Sequence, residues 1–331
     1  MTEGEHPGPG RRVGPDVALL RERLGQATFV AQDLSEHLRA ELSHIAGHKF
    51  QEACAVDLTA APAGHPVVWV GKRPAAALPP GGLLWFHTTN AGVDDILSGR
   101  LIGAETLFTR TVGDMGGKVA EYVLAWILAD AQNIREHTTQ TAFRRWNRVF
   151  PRGLAGQRVI VFGAGQIGRA VSRLLRGCGM RVVGVARHGG RSSHFDAVCT
   201  REEVMALLPE ASWLVSTLPL TERTRHYFDR AIFAPLRGAC FINAGRGATV
   251  EYTALRDALV DGRVRGAVLD VLPSEPPPAD DPWWELPNTT LTSHSAGITS
   301  DSDVITAFAG CWSAIQRGER PDLAVDLERG Y

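Results

Sequence analysis

The chain has 331 residues, 44% of them hydrophobic and 21% charged, with a formal net charge of -1. This is an ordinary globular composition, long enough for two domains with separate cores, and it excludes a disordered chain or a coiled coil. A net charge near zero gives no electrostatic case for nucleic acid or anionic lipid, so a small-molecule partner is expected, with no nucleic acid and no membrane.

The opening "MTEGEHPGPGRRVGPD" lacks the apolar core of a signal peptide, and no run of about 18 uncharged apolar residues follows. A cytoplasmic protein is expected, with residues 1–14 disordered. Cys54, Cys178, Cys199, Cys240 and Cys311 are odd in number and lack a C-x-x-C pair, so neither a disulfide framework nor a metal site is expected. The runs "VVWV" (67–70) and "LLWF" (83–86), set between Pro- and Gly-rich turns, predict buried parallel strands. Next, Val119, Tyr122, Val123, Trp126, Ile127, Ala131 and Ile134 follow helical spacing and predict one long amphipathic helix bridging two domains.

From Arg158 the texture is regular. "RVIVFG", "RVVGVA", "SWLVST", "ACFINA" and "GAVLDV" alternate with segments such as "TREEVMALL" and "YTALRDALVDG" that read as helical. Strands alternating with helices mean a parallel, doubly wound sheet. "PNTTLT" reads as one more short strand. In "SDSDVITAFAGCWSAIQRGER", Ser300 to Ser302 can cap a helix whose stripe is Val304, Ile305, Phe308, Cys311, Trp312 and Ile315, with Gly318 ending it. That helix is expected to return and pack on the first domain. The boundaries expected are 1–116 for the first part of one domain, 117–299 for a second, and 300–331 for the return.

"VIVFGAGQIGRAV" places Gly163, Gly165 and Gly168 after a strand and at the opening of a helix. The first glycine permits the tight turn, the second lets backbone approach a pyrophosphate, and the third lets helix and strand pack. With strand, turn, helix and following strand all in order, the motif predicts a dinucleotide site, to which Gln166 and Ile167 at the helix start also belong. An NAD site needs an acid about 20 residues after the first glycine, to accept the ribose hydroxyls. Here stand Ala186, Arg187 and His188, then Arg191, with no carboxylate before Asp196. A guanidinium can grip a 2'-phosphate that a carboxylate would repel, so NADP is the expected cofactor, and NAD stays possible.

Three polar residues follow strand ends, where ligands of doubly wound sheets bind. Arg246 follows "CFINAG", Glu275 follows "AVLDVLPS", and His294 sits in "TLTSHSAG". Each alone has a plain structural reading. Together they provide a cationic anchor, a carboxylate and a proton donor, which suits reduction of a 2-keto acid. Hydride delivery leaves negative charge on the carbonyl oxygen. A protonated imidazole can quench it, while an arginine holds the carboxylate. A carboxylate bonded to the imidazole favours its charged form and fixes its ring.

The glycine turn, "LPLTERTRHYF", "INAGRG", "LDVLPSEP" and "TSHSAG" come in the order and spacing of the D-isomer-specific 2-hydroxyacid dehydrogenases, which the chain resembles from about Trp85 onward. The resemblance implies a Rossmann dinucleotide-binding domain inserted in a flavodoxin-like substrate domain, both doubly wound. It gives Arg246, Glu275 and His294 the catalytic roles. It assigns Asn90, Ala91 and Gly92 in "HTTNAGVDDI", with Arg246, to the substrate, and Leu218, Pro219, Thr224, Ala244, Asp270 and Gly297 to the cofactor. Within the family, the short N-terminal domain, the arginine after the second strand and the ending "RGERPDLAVDLERGY" look most like glyoxylate/hydroxypyruvate reductases. Ser293 departs from the family, which usually has Pro before the His; this loosens the backbone there without removing a catalytic group.

The implied function is a reductase of a small 2-keto acid, glyoxylate or hydroxypyruvate first, with substrate entering between the domains. A reductase of a bulkier or specialised 2-keto acid is an alternative. The rival from another class is a dinucleotide-sensing scaffold like the corepressors that share this fold; a complete Arg, Glu and His set argues against it. A homodimer is expected, with Trp146 and Phe150 of "TAFRRWNRVFPRGLAG" on its arm if exposed.

Overall fold

The computed structural model describes residues 15–57, 62–74, 82–99 and 102–327. The stretch expected to be disordered, 1–14, lies outside the described residues. The chain divides into two units, Met1–Gly113 with Thr299–Tyr331, and Asp114–Ile298. These divisions fall a few residues before the boundaries drawn from sequence.

The first unit holds α1 (Val17–Leu24), β1 (Thr28–Ala31), α2 (Glu36–Ala46), β2 (Gln51–Glu52), β3 (Val67–Gly71), β4 (Leu83–Thr88), α3 (Asp94–Ser98) and β5 (Leu107–Arg110). All pairings are parallel, in the order β2-β1-β3-β4-β5. That is the flavodoxin-like order. The expected strands at 67–70 and 83–86 are present and almost wholly buried, which is why they read as unbroken apolar runs rather than as alternation. Side chains punctuate the helices: the Asp16 carboxylate caps α1, Ser35 caps α2, and Gly47 ends α2 at φ +66. The last helix, Asp301–Gln316, starts with a capping box between Ser300 and Asp303. It packs on this unit as expected, with Phe308 stacked on the buried Trp85 at 4.9 Å between ring centroids.

The second unit begins with α4 (Met115–Ala131) and α5 (Ile134–Ala142). One long helix was expected here, and the chain instead breaks at Asn133, which takes the left-handed conformation (φ +53). Asparagine tolerates that region, and its side-chain amide bonds the Phe150 carbonyl at 3.0 Å. The buried stripe is Met115, Val119, Val123, Ile127 and Ala131, four residues apart, and it ends where α4 ends. Ile134 is exposed, so its place in the apolar spacing was coincidental.

Then come β6 (Arg158–Phe162), α6 (Gln166–Gly177), β7 (Arg181–Val185), β8 (Ala197–Cys199), α7 (Arg201–Val204), β9 (Trp213–Ser216), α8 (Arg230–Phe233), β10 (Ala239–Asn243), α9 (Tyr252–Val260), β11 (Val264–Leu269) and β12 (Thr289–Leu291). "TREEVMALL" is α-helical only through Val204; the next turn tightens to a 3-10 helix carrying Pro209. The seven parallel strands run β8-β7-β6-β9-β10-β11-β12, the Rossmann order with one strand added. The chain reverses its direction of winding between β6 and β9, and a core of Phe162, Phe228, Phe233 and Phe241 holds this centre. Ligand sites of such sheets lie beyond the carboxyl ends of the strands at that reversal.

Candidate active site

At the reversal point the three glycines each meet a different constraint. Gly163 lies at φ +107, a conformation closed to ordinary side chains, and a Cβ there would stand 2.6 Å from Thr217 Oγ1. A Cβ on Gly168 would lie 1.8 Å from the Gly163 carbonyl oxygen, so helix and strand could not close on each other. Gly165 faces open space, with nothing within 4 Å of a Cβ. It precedes α6, whose first turn has no side-chain cap and no acid. Uncapped N–H groups behind an open glycine fit a pyrophosphate. Gln166 is exposed and Ile167 half-buried on that same turn.

Beyond β7 two carboxylates come into question among the described residues, and both are engaged elsewhere. Asp196 turns back toward the start of β7, accepting from Val182 N–H at 2.7 Å and pairing with Arg176 at 3.1 Å. Glu203 comes near Gly189, but its Oε2 is held by the Thr200 N–H in the cap of α7. Among the described residues, the exposed side chains of Arg187, His188 and Arg191 make no hydrogen bond or ion pair.

Beyond β9, the Thr224 hydroxyl donates to the Pro219 carbonyl at 2.7 Å and accepts from Thr221 N–H at 2.8 Å. It closes its own loop, with Pro219 exposed and Leu218 half-buried beside it. Beyond β10, Ala244 N–H bonds Ser216 carbonyl, and the fully buried Asn243 ties down the turn through Gly245 N–H and the Arg246 carbonyl. Gly245 and Gly247 flank Arg246 because the backbones of Leu218 and Leu272 lie where their side chains would be. Arg246 extends from this tight loop, half-buried, and its guanidinium donates to the Gly245 carbonyl at 2.8 Å.

Beyond β11 and β12 the structure brings Glu275 and His294 together. Glu275 Oε1 accepts from Leu272 N–H at 2.8 Å, and Oε2 meets His294 Nδ1 at 2.7 Å. With Nδ1–H given to a carboxylate, Nε2 is the ring nitrogen left open. His294 itself is left-handed (φ +53), a conformation that needs support. Asp270 supplies it. Its carbonyl takes His294 N–H at 2.8 Å, and its buried carboxylate takes Ser295 N–H at 2.8 Å, Ala296 N–H at 2.9 Å and the Thr292 hydroxyl at 2.5 Å. The loosening expected from Ser293 is countered by these three backbone bonds.

Two residues not anticipated from sequence complete the loop. Thr292 uses its hydrogen on Asp270, so Tyr122 of α4 must donate to Thr292 across their 2.8 Å contact. Burial raises the Tyr122 pKa beyond the ordinary phenol range, which keeps that proton in place. In the sequence Tyr122 was one more member of an apolar stripe, with no sign of a polar duty. Asp270 and Gly297 were assigned to the cofactor. In the structure the Asp270 carboxylate serves the His294 loop, and Gly297 lets Met115 approach to 2.1 Å from where its Cβ would stand. Asn90, Ala91 and Gly92 belong to the first unit, in the loop after β4.

Residues 124–296 match the family model described as D-isomer specific 2-hydroxyacid dehydrogenase, NAD binding domain. The chain is 47% identical over 272 residues to a Streptomyces coelicolor protein described as an uncharacterized protein in the mprR 3' region, covering 80% of this chain and 96% of that one. It is 29% identical over 278 residues to glyoxylate/hydroxypyruvate reductase A of Serratia proteamaculans (strain 568), covering 82% and 88%. A solved structure of a D-isomer specific 2-hydroxyacid dehydrogenase from Xanthobacter autotrophicus Py2, in complex with NADPH and MES, superposes with a TM-score of 0.81 at 27% identity, covering 92% of this chain and 99% of that one.

Proposed function

The chain belongs to the D-isomer-specific 2-hydroxyacid dehydrogenase family, and on that premise we propose that it reduces a small 2-keto acid to the D-2-hydroxy acid with NADPH, using His294 as proton donor. Family membership makes it an NAD(P)-dependent 2-hydroxyacid dehydrogenase. The observation that carries the finer reading is the 2.7 Å bond between His294 Nδ1 and Glu275 on the same strand rim as the open glycine turn.

The turn at Gly163, Gly165 and Gly168 holds the dinucleotide, which when bound supplies a hydride. Arg246 holds the substrate carboxylate, and the loop at Asn90, Ala91 and Gly92 is assigned to substrate by resemblance. Glu275 keeps the imidazole oriented, and Nε2 of His294 delivers a proton to the carbonyl oxygen as charge develops there. Glyoxylate and hydroxypyruvate are the favoured substrates, supported by the likeness to the Serratia reductase. NADPH is favoured over NADH because Arg187, His188 and Arg191 have no counter-charge of their own, and the related Xanthobacter dehydrogenase was solved with NADPH.

A homodimer is part of this reading. Trp146 is 96% exposed, and Phe143 and Phe150 stand out beside it on an irregular segment, more apolar surface than a lone arm keeps in water. Among the described residues no helix is long and apolar enough to cross a membrane, and a cytoplasmic location is proposed with the rest.

NADPH oxidation measured against a panel of 2-keto acids tests substrate and cofactor together. Turnover with glyoxylate or hydroxypyruvate is expected, faster than with aryl or otherwise bulky keto acids. Arg187→Ala should raise KM for NADPH by about ten- to a hundredfold and leave KM for NADH nearly unchanged, the worth of one charged hydrogen bond. Equal effects on both cofactors would remove these arginines from the site, and no turnover on any 2-keto acid would remove the function.

A further inference from the structure

Among the described residues, the first unit carries a cation that no carboxylate answers. Arg110 closes β5, in register with Thr88 at the end of β4. Its side chain is half-buried, and burial alone depresses its pKa, with no carboxylate contributing in the other direction. Of the five N–H donors a guanidinium carries, one has an acceptor among the described residues, the Ala91 carbonyl at 3.3 Å. A withdrawn charge with so few partners is costly unless an anion completes it.

The neighbouring loop is short of acceptors in the same way. Thr89 N–H bonds the Gly71 carbonyl, and Asn90 N–H bonds Thr88 Oγ1 at 3.2 Å. Among the described residues the N–H groups of Ala91 and Gly92 bond nothing. The base of the loop is firmly held, since the Thr111 N–H and hydroxyl both donate to the Thr88 carbonyl at 3.0 Å. A rigid loop end, two open N–H groups and a forked guanidinium tied to the peptide between them match the geometry of a carboxylate.

We infer that Arg110 is a substrate-binding residue, which together with the Ala91 and Gly92 N–H groups takes a carboxylate of the 2-keto acid. This rests on the proposed assignment of that loop to substrate, and it adds a residue that belongs to none of the motifs. Arginine rather than lysine is required, because two parallel bonds need the planar fork.

The test compares wild type with Arg110→Gln and Arg110→Lys in two measurements. In steady state, KM for the best 2-keto acid should rise about ten- to a hundredfold in Arg110→Gln, and by less in Arg110→Lys, while KM for NADPH stays within about twofold. Separately, calorimetric titration of oxalate into each protein needs no turnover, and its Kd should weaken by a similar factor. Normal KM and unchanged oxalate affinity in both variants, with wild-type turnover intact, overturn the role of Arg110 and leave the reductase reading standing. Oxalate binding that depends on Arg110 in a protein without keto-acid turnover keeps the anion site and removes the reductase reading. Should Arg110→Gln fail to fold, Arg110→Lys keeps the charge and still lacks the fork, so the same comparison applies to it.

Discussion

Two histidines stand near strand ends in similar words, His87 in "FHTTNAG" and His294 in "TSHSAG", and the two units treat them in opposite ways. His87 is fully buried in β4. Trp85 Nε1 donates to Thr109 Oγ1 at 2.8 Å, which leaves the Thr109 hydrogen for Nδ1 of His87 at 2.7 Å. The Thr111 hydrogen goes to the Thr88 carbonyl, so Nε2 of His87 must donate to Thr111 at 3.0 Å. Both ring nitrogens are satisfied in one neutral tautomer, and burial pushes the pKa down to about 3. His294 is about half exposed, has one nitrogen on a carboxylate, and keeps the other available. A histidine works as a proton donor where one nitrogen is held and one is open; where both are held in a dry core it is a structural part.

The sharpest way to break this comparison is to truncate each ring. His294→Ala should cut kcat/KM by about a hundredfold or more with the thermal midpoint nearly unchanged, because it removes the proposed proton donor and touches no core. His87→Ala should do the reverse, lowering the midpoint through a cavity and stranded hydroxyls. Near wild-type turnover in a folded His294→Ala would end its assignment.

Acid sharpens the contrast further. His87 has an unfolded pKa near 6.5 and a folded one near 3, so its contribution is complete above pH 6.5. As pH falls below that, the unfolded chain binds a proton that the folded chain refuses, and stability drains until about pH 3. Between pH 7 and 5 wild type should lose about 2 kcal/mol more than His87→Gln in urea titrations. Parallel losses in the two proteins would show that His87 titrates normally.

The smallest effect is expected at Tyr122, which reaches His294 only through Thr292 and Asp270. Tyr122→Phe should lower kcat about tenfold or less, the worth of one hydrogen bond, and leave KM for both substrates near wild type. Adding it to Thr292→Val should cost little more, because the two act along one chain. Additive losses would make Tyr122 a packing residue only.

Whether a feature is legible in the sequence follows from the distance along the chain over which it is set. The central strands β3, β4, β6, β7, β9, β10 and β11 were legible as apolar runs, because parallel strands covered on both faces must be apolar throughout, whereas β1, β2, β5 and β8 are too short, or β2 and β8 too exposed, to stand out in that way. The glycine turn was legible because its three constraints act within six residues, and Arg246, Glu275 and His294 stood out as candidates because each lies within six residues of a strand end. What escaped depended on remote partners. Asn133 breaks a helix whose apolar spacing runs on unchanged, by way of the Phe150 carbonyl. Tyr122 meets Thr292 across 170 residues, and Asp270 meets Ala296 across 26.

The sequence by itself determined the two parallel α/β folds, the glycine turn and the chemical kinds of side chain on the strand rims, because these follow from local pattern and chain order. Tertiary structure alone decided which histidine is open and which is sealed, that the Asp270 carboxylate steadies the His294 loop, and that Arg110 has no counter-charge among the described residues. Burial, and the hydrogen-bond partners that fix a proton on one nitrogen or leave a guanidinium wanting, are properties of the residues a side chain meets in space, and those come from other parts of the chain.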